Sequence, residues 1–154
     1  MHTTVSRQPL PLTLCYVDDD AEDLMIFKVA VESIVKEVKL FRVGADFLNS
    51  MQSMPSDSIV FVDLNMQCFT GFQIITFLRE NILFKKLPII VLSTAADRRM
   101  QQTSWDVGAD FYIVKPSTIS ELTTALEYVI SVDWKTHERK RDEFVFGLKR
   151  RIAI

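Results

Sequence analysis

The sequence is short of the residues that mark several specialised classes of protein. Its only cysteines, Cys15 and Cys68, are too few for a disulfide framework, and the first eleven residues lack an apolar stretch of signal-peptide length. Both absences fit a reducing, cytoplasmic setting. The two histidines, His2 and His137, are too far apart and too poorly accompanied to suggest a metal site. Four glycines and five prolines leave no low-complexity segment, and no internal repeat is visible. No apolar run approaches the roughly eighteen residues of a membrane-spanning helix. A net charge of −2 favours no particular class of partner. What remains is an ordinary globular composition, 48% hydrophobic and 25% charged over 154 residues. That length suits one domain able to bury about two-thirds of its unfolded surface.

The most informative stretch is residues 58–66. Ile59, Val60, Phe61 and Val62 form a continuous apolar run that ends on Asp63. Such a run, rich in β-branched and aromatic residues, reads as a strand buried on both faces. A lone carboxylate is costly inside that strand but not at its carboxyl end, where open α/β sheets bind ligands. Asp63 is therefore either a cap for the next turn or a reactive or metal-binding group on a rigid platform.

The rest of the chain repeats the strand–helix rhythm. A polar lead-in, residues 1–11, precedes a strand over 12–17 and then Asp18, Asp19 and Asp20. Asp20 can cap a helix over 21–37, whose Leu24, Phe27, Val31, Ile34 and Val38 recur at helical spacing. A short strand at 39–43, broken by Gly44, precedes a helix at 45–54. After the Asp63 strand, a loop over 65–70 and Gly71 lead to a helix at 72–81. A wholly apolar strand at 88–92 ends in Ser93 and Thr94, and Asp97 caps a polar helix to 107, closed by Gly108. A strand at 111–114 ends in Lys115 and Pro116, followed by an amphipathic helix at 117–133. Five βα units with strands this apolar imply an α/β fold, a parallel five-stranded sheet covered by helices on both faces.

In a parallel sheet all carboxyl ends share one rim, so Asp18, Asp19, Asp63, Ser93 and Lys115 converge. Three carboxylates in one pocket call for a cation, and oxygen ligands with room for water suit Mg²⁺. A carboxylate can attack phosphorus to form an acyl phosphate. Lys115 can pair with phosphate or carboxylate, and the Ser93 hydroxyl can donate to a phosphoryl oxygen. Taken singly, Asp18 or Asp19 can be a solvated loop acid, Ser93 a strand end and Lys115 a surface lysine.

The chain resembles the receiver domain of two-component response regulators, of the chemotaxis-regulator, flavodoxin-like type, over about residues 12–134. The motifs are Tyr16-Val17-Asp18-Asp19-Asp20, Val62-Asp63-Leu64-Asn65-Met66 with Gly71 eight residues after the aspartate, Pro88-Ile89-Ile90-Val91-Leu92-Ser93, and Gly108-Ala109-Asp110 leading to Tyr112-Ile113-Val114-Lys115-Pro116. The resemblance implies that Asp63 accepts a phosphoryl group from a sensor histidine kinase or phosphotransfer protein. It implies that Asp18 and Asp19, the latter the more direct, hold Mg²⁺ or Mn²⁺ with Asp63 and the backbone carbonyl of Asn65. Lys115 matches the lysine that pairs with the phosphorylated site, and Pro116 the proline after it, often in cis. Tyr112 matches the aromatic switch that turns inward when the hydroxyl moves. For that hydroxyl, Thr94-Ala95 resembles the family's usual pair, but the offsets from Asp63, Pro88 and Lys115 favour Ser93. The chain departs from the family pattern at Gln67, where proline is common, and at Cys68, Phe69 and Thr70.

On this reading the downstream partner docks on the face made by the fourth helix, fifth strand and fifth helix, near Arg98, Arg99, Met100 and Trp105. Trp105 reads first as core packing and second as a partly exposed interface anchor. The expectation is a single-domain regulator with no DNA-binding domain and no membrane segment. It is not an enzyme beyond its own aspartyl phosphorylation and dephosphorylation. Two other classes stay open. One is a degenerate receiver that only binds partners, which the full set of site residues disfavours. The other is an aspartyl-phosphate phosphatase, which wants an acid where Asn65 stands. Residues 135–154 carry seven basic and three acidic side chains. This basic tail can continue the last helix, with Phe144, Val145, Phe146 and Leu148 packing on the receiver or on a second subunit in a homodimer. It can instead contact phosphates or an acidic partner, or be solvated and disordered.

Overall fold

The wholly apolar stretch at the centre of the sequence is the middle strand of the sheet. In the computed structural model, which describes residues 8–147, β3 (Ser58–Val62) is buried at every position. It lies between β1 (Leu10–Val17) and β4 (Ile89–Ser93). β2 (Val35–Phe41) and β5 (Phe111–Val114) complete a five-stranded sheet in the order β2-β1-β3-β4-β5, with every pairing parallel. Helices α1 (Ala21–Val31), α2 (Gly44–Ser50), α3 (Gly71–Glu80), α4 (Arg98–Val107) and α5 (Ile119–Ser131) alternate with the strands. The expected doubly wound α/β architecture is the observed one. No helix among the described residues is long and apolar enough to cross a membrane.

The period-two alternation of the strands divides the core into two layers. Leu14, Tyr16, Phe61, Ile90 and Ile113 face one way and pack with Phe27 and Val31 of α1 and Leu122, Leu126 and Val129 of α5. Cys15, Val17, Val60, Val62 and Val91 face the other way, against Phe47 of α2 and Ile74, Ile75 and Leu78 of α3. Cys15 is fully enclosed, and burial pushes its thiol up to about 12. It is an apolar filler in the core.

Caps set the helix starts. Asp20 accepts from the backbone N–H of Glu22 and Asp23, and Asp97 from that of Met100, as the sequence predicts. Thr70 and Gln73 form a reciprocal capping box that starts α3. At the other end of α4, Gly108 adopts φ 106°, a left-handed conformation that closes the helix.

Three boundaries differ from expectation. The helix expected over 21–37 ends at Val31, and residues 35–37 belong to β2. The apolar positions Val31, Ile34 and Val38 suit a helical period, but Val38-Lys39-Leu40 also alternates as a strand does. Pairing with β1 decides the matter by satisfying those backbone groups. The helix expected over 45–54 is α2 plus a 3₁₀ turn, Met51–Ser53, and Gly44 opens it rather than preceding it. The lead-in is shorter than expected, since Leu10 already pairs with Val35; residues 1–7 lie outside the described residues.

The tail departs furthest. Up to residue 147 it neither continues α5 nor stands apart in solvent. After a turn near Asp133 it forms a 3₁₀ turn, Arg141–Glu143, and buries Phe144 at 3% exposure. Val145 then forms a parallel bridge to Tyr112 on the free edge of β5. Leu148, Lys149, Arg150 and Arg151, counted in the tail readings, lie outside the described residues.

Candidate functional site

The strand register brings the rim residues together. Val17 pairs with Val62, so Asp18 and Asp63 leave adjacent strands side by side, and the Asp63 amide donates to the Val17 carbonyl at 3.0 Å. Ser93 pairs with Val114, and the Lys115 amide donates to the Ser93 carbonyl at 2.8 Å. Carboxylate oxygens of Asp18, Asp19 and Asp63 lie within 4.8 Å of one another. Asp63 is 6% exposed and Asp18 1%, whereas Asp19 is half-buried at the mouth. Two buried acids and one nearer solvent form a graded, oxygen-only donor set that fits a hard divalent cation better than a soft one.

Lys115 is the cation within this cluster. Its Nζ donates to Asp18 Oδ2 at 2.7 Å and to Asp23 Oδ2 at 2.8 Å, and it stands 3.7 Å from Asp63 Oδ1. Burial acts to lower its pKa, but the hydrogen bonds to Asp18 and Asp23 outweigh that, and the net shift is upward. Asp63 has no cation that close, though a hydrogen bond from the Leu64 amide favours its charged form. Desolvation pushes it up to about 6; Lys115 works against the shift and the Asp18 charge adds to it. Asp63 is thus the strained member of the trio, an acid whose negative charge is only partly compensated.

Ser93 ends β4 with no exposure, and its Oγ accepts from the Ala95 amide at 3.2 Å. Thr94 is exposed, so the side chain directed inward is that of Ser93. Tyr112 is fully buried on β5, and its hydroxyl donates to the Ala95 carbonyl at 2.6 Å. Asn65 is exposed in the loop after Asp63. In that loop the Gln67 amide donates to Asp19 Oδ2 at 3.3 Å, tying the departure from the family pattern directly to the acidic cluster. Cys68 takes φ 70°, an unfavourable conformation for a residue with a Cβ. No peptide bond among the described residues is cis, so the bond before Pro116 is trans, unlike the form often found in the family.

The sequence reading missed two members of the site. Asp23, an acid in the first turn of α1, is not among the residues singled out above, yet it holds Lys115. Its signal was its place one turn past the acidic triplet, on the same rim. Tyr16 appeared only within a motif; its hydroxyl donates to Asp18 Oδ2 at 2.5 Å. Burial raises the Tyr16 pKa, with the Asp18 charge next, so it stays a neutral donor. Strand alternation directs Tyr16 and Asp18 to the same face, which was the available clue.

A third feature is steric. A Cβ on Gly71 would run into the Asp63 carbonyl oxygen and lie 3.0 Å from Leu64 Cα. Only glycine lets the start of α3 approach the end of β3 so closely.

Comparison with known proteins gives a consistent picture. The family profile described as "Response regulator receiver domain" matches residues 14–127. Chemotaxis protein CheY1 of Helicobacter pylori strain 26695 is 25% identical over 123 residues, covering 79% of this chain and 99% of CheY1. Transcriptional regulatory protein PrrA of Mycobacterium tuberculosis is 30% identical over 114 residues, which is 74% of this chain and 48% of PrrA. Protein RcaC of Microchaete diplosiphon is 27% identical over 121 residues but is matched over only 18% of its own length. The chain thus spans about half of one of these relatives and less than a fifth of another. Among solved structures, chemotaxis response regulator CheY4 of Vibrio cholerae superimposes with a TM-score of 0.70 at 26% identity, covering 77% of this chain and 98% of that one.

Proposed function

The chain belongs to the response regulator receiver domain family of two-component systems, and from that premise we propose that Asp63 is its phosphoacceptor. One observation carries the reading: a buried, undercompensated Asp63 carboxylate at a strand end, 3.7 Å from the Lys115 ammonium and flanked by Asp18 and Asp19. An Asp63 carboxylate oxygen attacks the phosphorus of a phosphohistidine. The new O–P bond forms an acyl phosphate as the P–N bond breaks, and the imidazole leaves with the electron pair. The donor is a sensor histidine kinase or phosphotransfer protein. Asp18, Asp19, Asp63 and the Asn65 carbonyl would hold Mg²⁺ or Mn²⁺. A cation there supplies positive charge against the phosphoryl oxygens.

Lys115 exchanges part of its interaction with Asp18 and Asp23 for the phosphoryl group. The Ser93 hydroxyl, now an acceptor from Ala95, rotates to donate to a phosphoryl oxygen. Tyr112, bonded to Ala95, reports that movement on the far side of the loop. The effect is a change in the α4–β5–α5 face, a two-state element biased by one modification. The only chemistry catalysed is the gain and loss of the protein's own phosphoryl group.

Calorimetric titration with beryllofluoride in Mg²⁺ tests this. Saturable binding by the wild type and none by Asp63→Ala supports the reading, and equal binding by both contradicts it. Repeated turnover of an external phosphomonoester would instead indicate a phosphatase.

A further inference from the structure

One segment that the site does not use lies across the face proposed to change. Arg139 donates from Nε to the Ala109 carbonyl at 2.9 Å and from a terminal nitrogen to the Trp105 carbonyl at 2.6 Å. Its guanidinium sits 3.9 Å from the centre of the Trp105 ring. Phe144 packs edge-on against that ring at 5.3 Å and lies 6.3 Å from the Tyr112 ring. The Tyr112 amide donates to the Phe144 carbonyl at 2.9 Å, and the Phe146 amide to the Tyr112 carbonyl at 2.8 Å. The Phe146 ring reaches Tyr128 at 5.3 Å. One short segment therefore touches α4, β5 and α5 together.

We propose that residues 139–146 are a built-in strap on the α4–β5–α5 face, and that its seating on Tyr112 and the state of the Ser93–Ala95 loop are coupled. The coupling has a defined geometry. The backbone of Tyr112 holds the strap, while its hydroxyl holds the Ala95 carbonyl, and the Ala95 amide is bound to Ser93 Oγ. An outward swing of the Tyr112 ring needs the space that Phe144 fills. A seated strap thus keeps Tyr112 inward, and a loosened strap frees it. Seating also covers the edge of β5, so a partner reading this face by strand addition must displace Val145. Because coupling between two sites is reciprocal, whatever orders the loop tightens the strap, and the strap in turn favours the ordered loop. The link to Asp63 rests on the phosphoacceptor reading.

Amide hydrogen exchange by NMR on the full chain tests the strap without any phosphoryl group. Wild type is compared with Phe144→Ala and with Arg139→Ala, which leaves the buried ring in place and guards against a folding defect in the first variant. The expected result is exchange about tenfold faster at both the Phe146 and Ala95 amides in Phe144→Ala, with a smaller rise in the same direction in Arg139→Ala. Faster exchange at Phe146 with Ala95 unchanged in both variants overturns the coupling. No change at Phe146 in either variant overturns the strap. Beryllofluoride affinity in Mg²⁺ is then expected to fall several-fold in Phe144→Ala, and equal affinity overturns the link to Asp63. If the wild type takes up no beryllofluoride, the phosphoacceptor reading and that link fail, while the exchange data still decide the strap.

Discussion

Asp63 and Lys115 stand in opposite electrostatic positions, and each makes a prediction. The folded protein binds the Asp63 proton more tightly than the unfolded chain does, because its pKa is raised to about 6. The resulting cost is therefore absent below about pH 4 and grows as pH rises through about 6. In metal-free buffer, Asp63→Asn should be more stable than wild type at pH 7, by about 1–3 kcal/mol from the size of the shift. The advantage should vanish near pH 4, as urea midpoints at the two pH values will show. Lys115 behaves in the opposite way. Lys115→Met leaves Asp18, at 1% side-chain exposure, without its cation and held only by hydrogen bonds from the Tyr16 hydroxyl and the Asp20 amide. A loss of about 2–4 kcal/mol in urea unfolding at pH 7 is expected, reduced by the partial exposure of Asp23. Most of this site was legible residue by residue. Asp18, Asp19, Asp63, Ser93 and Lys115 each follow an apolar strand or end one, and a parallel sheet sends them to one rim. The bonds from Lys115 to Asp23 and from Tyr16 to Asp18 were not legible, because they depend on side-chain reach across elements rather than on position along the chain.

Among the elements, the junction of β3 with α3 bears most directly on the site. Gly71→Ala should force the Asp63 carbonyl and Leu64 apart from the helix start, costing about 1–3 kcal/mol as an overpacking substitution. Because the strained backbone is that of Asp63, the same variant should also shift the Asp63 and Leu64 amide resonances; stability and spectrum both unchanged would contradict the close approach. The strands were readable because continuous apolar runs of four or five residues, bounded by polar or turn residues, favour a buried strand. The end of α1 was not, since Val31, Ile34 and Val38 satisfy a helical period while Val38 and Leu40, either side of Lys39, also satisfy a strand. The choice rests on backbone pairing with β1, a contact remote in sequence. Packing of Phe144 on the receiver is one of the readings the sequence allows, but its seat beside Trp105 and Tyr112 is not legible, for the same reason. An aromatic in a basic tail looks like many solvated tails until the edge of β5 and the Trp105 ring are in place to receive it.

At the scale of the whole molecule, a sheet with a rigid acidic rim at one end of its strands carries a segment of its own chain across one flank. Metal binding at the rim should stabilise the fold by mass action, about 1.4 kcal/mol at a tenfold excess of Mg²⁺ over its Kd. The melting temperature should rise with Mg²⁺ in the wild type and much less in Asp19→Asn, as a thermal titration will reveal. The central claim concerns one atom, a carboxylate oxygen of Asp63. It is tested most directly by incubating the protein with acetyl phosphate in Mg²⁺, reducing the product with borohydride, and mapping the modified residue by mass spectrometry. Reduction converts an aspartyl phosphate to homoserine. The account predicts homoserine at position 63, dependent on Mg²⁺. Modification at another residue, or none under conditions where Mg²⁺ stabilises the protein, would contradict it.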